Sequence, residues 1–460
     1  MEEDSIYKLI EEYLPSKSKE KSEHGEVFTP VSMITSLYDN FPASAFTNKD
    51  SVWLDPASGI GNLLLVAFFY LMNGLRKVIS NKELRKKHII EKMLYMTEIN
   101  KKNVKICIDI FKKICPSAKV NIYEGDFLKF KPESIGWPNT YNYIVGNPPY
   151  NIGGIGLEGS KRTHIPFTKN ALELLSKNEG CISYICPPSY RETNTPMNSL
   201  FQEYKGNFLY IKIYGAEETH SLFHIQGRVD AFIYQLTNKN HTTIINDEYG
   251  IITKDNSIDL TRHIPNFGHS IFDKLYKKVK QLGKVDAFRN TEMSSVKSDT
   301  FGCNGKNKIM HLIISKGRRV FKSIKKHSLA STPKILINGL GVPYVFYDKD
   351  GAYGPSQSPV IILKPSLNVV SFLKSEFFSF IAWGLRLTGN NNLPYLFDYI
   401  PNVKTEKNSY KTMEDIKRGI QLTDKEVAFI RDNFKKYEYE DKDIIEKCAN
   451  KTKKRVKKTH

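Results

Sequence analysis

Cysteine is scarce, six in 460 residues, and no two are spaced as C-x-x-C. That excludes a disulfide framework and the usual thiolate spacing of a structural zinc site. The six, at positions 107, 115, 181, 186, 303 and 448, fit a reducing compartment. Long apolar runs are missing too: the longest, Leu63 to Met72, is half of what a bilayer span needs. The opening MEEDSIYKLIEEYLPSK lacks the apolar core of a signal peptide. A soluble, cytoplasmic protein without a membrane partner is expected. Acidic residues fall short of basic ones, 49 against 68, leaving a formal charge of +19. Basic side chains that neutralise phosphates release condensed counterions, so a polyanion is the natural partner. No G-x-x-x-x-G-K-[ST] phosphate loop and no internal repeat is present.

What is present is an alternation. SVWLDP at 51–56, KMLYMTEI at 92–99, KVNIYEGD at 119–126 and YNYIVG at 141–146 read as strands, with helical patterns GNLLLVAFFYLMNGLRK and NKKNVKICIDIFKKI between them. TKNALELLSK follows as a helix, then CISYICP, NFLYIKIYG and VDAFIYQLT as strands, the last of the series. Strands joined by crossover helices predict a doubly wound, mostly parallel α/β sheet. Beyond about residue 240 the rhythm is lost, with a short strand at KILING and a helix around Val369 to Leu387. The expected organisation is a catalytic domain over 1–240, a second α+β domain over 241–450, and a basic tail over 451–460.

In such sheets ligands gather at the carboxyl ends of the strands. The first strand ends in Asp55-Pro-Ala57-Ser-Gly59-Ile-Gly61, where glycines let a ligand approach the backbone. The second ends in Glu98, placed to accept from ribose hydroxyls; the third ends in Gly125-Asp126-Phe127, whose carboxylate suits an adenine amino group. The turn Gly59-Ile60-Gly61-Asn62-Leu63-Leu64 lacks the third glycine of a pyrophosphate site, so an adenosine without phosphate, S-adenosylmethionine, is the expected cofactor. The fourth strand ends in Asn147-Pro148-Pro149-Tyr150. Two prolines stiffen this turn, so the Asn147 side-chain oxygen and the Pro148 carbonyl form preorganised acceptors. A conjugated amine, a poor nucleophile, would donate both its N–H groups to them and present a tetrahedral nitrogen. Tyr150 would stack on the flat substrate ring. Catalysis then rests on positioning and electrostatics, with no metal required.

These residues resemble the gamma-class N6-adenine DNA methyltransferases. Asn147-Pro148-Pro149-Tyr150 carries most of the resemblance, and His24-Gly-Glu-Val-Phe-Thr29-Pro30 is similar to that family's N-terminal motif, whose threonine contacts the methionine part of the cofactor. Ser221-Leu-Phe223 is similar to the segment whose aromatic residue clamps a flipped adenine, which makes Phe223 the candidate. The resemblance implies a C-terminal target-recognition domain, double-stranded DNA as substrate, a prokaryotic or viral source, and a restriction endonuclease partner on a separate chain. One complete site per chain makes a monomer the default. Arg386, Asn390, Asn391 and Asn392 are candidate base readers, since Arg can read guanine and Asn adenine. The glycine-rich loop Gly153 to His164 is a candidate cover for the substrate.

Two rivals share the chemistry: amino-methylation of RNA and methylation of a glutamine side chain in a protein. A non-catalytic descendant would be expected to have lost one of the site residues. Cytosine C5 methylation is excluded, because it needs Pro-Cys and the chain has Cys115-Pro116 and Cys186-Pro187.

Overall fold

The computed structural model describes residues 29–152, 161–225, 227–255, 258–293, 305–339, 341–387, 394–405 and 410–446. The chain divides into two compact units, Met1–Phe267 and Gly268–His460.

The first unit is built on a nine-stranded sheet. Its strands are β1 (Trp53–Asp55), β2 (Leu94–Glu98), β3 (Asn121–Glu124), β4 (Tyr143–Gly146), β7 (Cys181–Cys186), β8 (Gly206–Ile213), β9 (Asp230–Leu236), β10 (Thr243–Asn246) and β11 (Ile252–Asp255). A separate hairpin pairs β5 (Asn151–Ile152) with β6 (Lys161–Arg162). The order across the main sheet is β11-β10-β8-β9-β7-β4-β1-β2-β3. The run from β3 through β7 is parallel, whereas β9 lies antiparallel between β7 and β8. Strands β1, β4 and β7 are buried at every position, which is why they read as unbroken apolar runs.

The crossover helices follow from their patterns. Lys101–Ile114 buries Val104, Cys107, Ile110, Phe111 and Ile114, one face at helical spacing. Asn100 opens it by accepting from the Lys102 amide at 3.0 Å. Asn62–Gly74 is apolar nearly all round, and eight of its residues, Asn62 to Phe68 and Leu71, are buried. Trp53 has no exposed surface and stacks against Phe46 and Tyr143, with centroids at 5.4 and 4.4 Å, anchoring the middle of the sheet. Because β2 lies to one side of β1 and β4 to the other, the strand order reverses beside β1 and opens a crevice at the carboxyl ends.

Two expectations are corrected. VDAFIYQLT is not the last strand of its sheet: β10 and β11 follow it, inside the compact unit that runs to Phe267. The polar composition of 241–262 hid them because β11 is the exposed edge and β10 beside it buries only alternate residues. The helix expected around Val369 to Leu387 is two, Leu367–Leu373 and Glu376–Gly384, because Ser375 caps the second by accepting from the Phe378 amide.

The second unit is α+β. One four-stranded sheet has the order β12-β18-β15-β16 (Phe288–Arg289, Val360–Leu363, Lys334–Ile337, Val345–Asp348), and another β17-β13-β14-β19 (Tyr353–Pro355, Asn307–Ile314, Gly317–Ser323, Asp443–Ile445). The first is pinned by a buried Lys334–Asp348 ion pair at 2.7 Å. The basic tail lies outside the described residues. Among the described residues no helix is long and apolar enough to cross a membrane.

Candidate active site

Strands β1 to β4 run parallel, so the segments after Asp55, Glu98, Glu124 and Gly146 emerge along one edge of the sheet. The turn after β1 wraps back onto β2. Its Ser58 amide donates to the Thr97 carbonyl at 3.0 Å, and its Gly59 amide to Glu98 Oε2 at 2.8 Å. The other Glu98 oxygen accepts from the Asn100 amide at 2.7 Å. Both Glu98 oxygens thus accept from backbone amides, which fixes the carboxylate at the strand end. Asp126 Oδ1 accepts from the Leu128 amide at 2.9 Å and caps a short turn, with Phe127 buried behind it against Phe167.

Gly61 takes φ +92° to enter the helix Asn62–Gly74, and a Cβ there would lie 2.8 Å from Cys107 Sγ. Both facts demand glycine. Gly61→Ala is expected to cost about 1–3 kcal/mol of stability. Combining it with Cys107→Ala should recover the steric part in a denaturant titration and leave the part due to φ.

Asp55 is fully buried. Its Oδ1 accepts from the Ala57 amide at 3.1 Å, and its Oδ2 has no hydrogen-bond partner among the described residues. Burial pushes its carboxyl up to about 8, the Ala57 amide opposes that, and the Glu98 charge adds to it. An orphaned, buried acceptor at a strand end fits a cationic ligand group, because pairing relieves the desolvation that raises the carboxyl.

The turn after β4 brings in the N-terminal motif. Asn147 Nδ2 donates to the hydroxyl of buried Thr29 at 3.1 Å, which turns Oδ1 to the opposite side as an acceptor. Pro148 is buried, Pro149 exposed and Tyr150 half-buried. The Tyr150 hydroxyl donates to the Ile185 carbonyl at 3.4 Å. Burial, and then Cys186, holds that hydroxyl well above its ordinary range, so it stays protonated. Burial likewise pushes the Cys186 thiol far up, which leaves it no thiolate to act as a nucleophile.

Other expected residues stand apart. Phe223 ends the helix Ala216–Phe223 with 1% exposure, inside the core cluster against which Tyr150 packs. A base reaches its ring only if this helix end turns outward. His224 behind it holds a left-handed φ of +52°. Arg386 is buried, with its guanidinium 4.1 Å over the Trp383 ring and donating to the Gly341 carbonyl, so it ties its own unit together rather than facing a base. Asn390, Asn391 and Asn392, residues 24–28 of the N-terminal motif, and the loop 153–160 lie outside the described residues. The sequence reading missed Ile99, which is 72% exposed directly after Glu98. It also missed Thr163 and His164, whose backbone and ring reach the Tyr150 carbonyl. Among the described residues no group of three His, Cys, Asp or Glu side chains is placed to hold a metal ion.

Residues 4–172 match the family model described as N-6 DNA Methylase. The methylase subunit of the type I restriction enzyme MjaVII from Methanocaldococcus jannaschii is 28% identical over 152 residues, 33% of this chain and 22% of that protein. The match thus spans about a fifth of that relative's length. Among solved structures, the M protein of the type I restriction enzyme EcoKI aligns at 15% identity over 55% of this chain and 54% of that one, with a TM-score of 0.37. The type IIL restriction-modification enzyme MmeI, solved in complex with DNA, aligns at 10% identity over 94% of this chain and 76% of its own, with a TM-score of 0.48. The family match falls on the segment that carries the Asn147 turn, and over it the resemblance read from the sequence stands.

Proposed function

We propose, on the premise that residues 4–172 form an N-6 DNA methylase module, that the chain is an S-adenosylmethionine-dependent DNA methyltransferase of a restriction-modification system, acting on N6 of an adenine flipped from the duplex. The observation that carries the reading is the convergence at one sheet edge of the orphaned Asp55 oxygen, Glu98, Asp126 and the stiff Asn147 turn.

The cofactor would supply an electrophilic methyl group on a sulfonium. Thr29 and the glycine turn would line its methionine part, with Asp55 facing the ammonium. Glu98 would accept from the ribose hydroxyls, Asp126 from the adenine amino group, and Ile99 would pack on that ring. Asn147 Oδ1 and the Pro148 carbonyl would accept the two N–H bonds of the target amine and orient its lone pair. Tyr150 would stack on the extruded base and offset part of the few kcal/mol that unstacking costs. Proton loss can follow methyl transfer, so no side chain with a lowered pKa is needed. The second unit would read the target, and a nuclease on a separate chain would be the partner.

Labelled S-adenosylmethionine offered with duplex DNA, RNA and protein tests the reading. N6-methyladenine in DNA supports it; label in RNA or in glutamine with DNA untouched overturns it.

Asp55 makes a second test. Without ligand its carboxyl is neutral below about 8, and a bound ammonium favours the charged form, so binding must expel a proton. Affinity for S-adenosylmethionine is therefore expected to rise with pH between about 6 and 8, by up to about tenfold per unit. Titration calorimetry should show that rise and its loss in Asp55→Asn; equal slopes in both proteins would remove Asp55 from the ammonium site.

A further inference from the structure

We infer that His164 is a positioning residue that locks the Asn147–Tyr150 turn to the neighbouring strand end. The inference rests on the reading of that turn given above.

His164 begins the helix His164–Leu174 and is 3% exposed. Its Nδ1 lies 3.3 Å from the Tyr150 carbonyl, and its Nε2 3.3 Å from Ser189 Oγ. A carbonyl only accepts, so Nδ1 carries the hydrogen and donates; in the neutral ring Nε2 then accepts from the Ser189 hydroxyl, and in the charged ring it donates to that oxygen. The Thr163 amide donates to the same Tyr150 carbonyl at 3.1 Å. The last carbonyl of the turn is thereby held from two sides.

The far end of this link is equally fixed. Ser189 follows β7, the strand paired with β4, and its own carbonyl accepts from Thr195 Oγ1 at 2.6 Å. The imidazole thus spans the carboxyl ends of two adjacent strands, one bearing the Asn147 turn and the other Pro187-Pro188-Ser189. Proline removes two amides from each of these turns, so side chains supply the restraint that ladder bonds cannot. The plane of the Tyr150 ring and the direction of the Pro148 carbonyl both depend on where the Tyr150 backbone is pinned. Small misplacements of reacting groups cost rate steeply, up to about 100-fold.

Two variants separate positioning from folding. His164→Leu keeps the bulk and removes both polar contacts, whereas His164→Asn keeps a donor near the place of Nδ1. The single-turnover methyl-transfer rate to DNA, per cofactor-binding site, is expected to fall about 10- to 100-fold in His164→Leu and to recover most of that in His164→Asn. Dissociation constants for S-adenosylmethionine should be unchanged in both. Hydrogen exchange supplies a readout independent of activity: in His164→Leu the amides of 150–152 and of Thr163 should exchange faster, while those of β4 and β7 keep their protection. Equal rates per site in wild type and His164→Leu, equal loss in both variants, or unchanged exchange at 150–152 would overturn the inference. A wild-type protein inactive on DNA would refute the proposed function, and the exchange result would still decide the role of His164.

Discussion

Asn147→Ala is expected to lower the single-turnover rate of methyl transfer by about 10²–10³-fold while the cofactor dissociation constant changes little. The magnitude is that of deleting one preorganised hydrogen-bonding group aimed at charge developing in a transition state. The amine gains positive character as its lone pair is committed to the methyl group, and Asn147 Oδ1 is one of two acceptors facing it in the proposed arrangement. The substitution should leave the sheet intact, because Asn147 is half-buried and, among the described residues, its side chain bonds Thr29 alone. Asn147→Asp sharpens the test. It keeps an acceptor and can still take a hydrogen bond from the Thr29 hydroxyl, so it should retain more activity than alanine. If Ala and Asp lost activity equally, an acceptor at this position would not be sufficient and the acceptor role would fail.

Much of this site was legible because the residues that form it interrupt a strong pattern. Asp55, Glu98 and Asn147 each close an apolar run, Asp126 follows the shorter mixed strand β3, and parallel topology then forces all four ends to one edge. Ile99 escaped notice because an apolar residue beside a strand reads as part of it until its 72% exposure is known. His164 had no periodic signature; its role comes from the folding back of a helix start onto a turn fourteen residues earlier. Strands β10 and β11 were hidden by edge polarity. The second unit was the least readable, since its pairings join distant segments, such as Arg319 with Ile444. Arg386 shows the limit of composition: an arginine suited to guanine is spent on Trp383 and the Gly341 carbonyl.

Arg191→Met is expected to be the most damaging substitution for stability, at about 3–5 kcal/mol. Arg191 and Asp230 are both fully buried and pair at 2.6 Å between Nε and Oδ2, with NH2 at 3.2 Å from Oδ1. Arg191 NH1 also donates to the Ile264 carbonyl and Asn266 Oδ1, each at 3.1 Å. Losing the guanidinium leaves a carboxylate stranded at the start of β9. Burial already raises the Asp230 carboxyl above its ordinary range although Arg191 pulls it down, so desolvation outweighs the attraction even in the intact pair. The pair is therefore a poor source of stability and a good source of geometry. Arg191→Met with Asp230→Leu should consequently recover at least half of the loss, measured by denaturant-dependent hydrogen exchange of β7 and β9. Methyl transfer should not recover with it. Arg191 stands two residues beyond Ser189, and its guanidinium joins that segment to β9 and, beside the bond from the Ile264 amide to the Arg191 carbonyl, to 264–266, so the double variant should keep its fold but loosen the anchor on which His164 bears. Stability restored together with full activity would mean that the anchor does not depend on the ion pair.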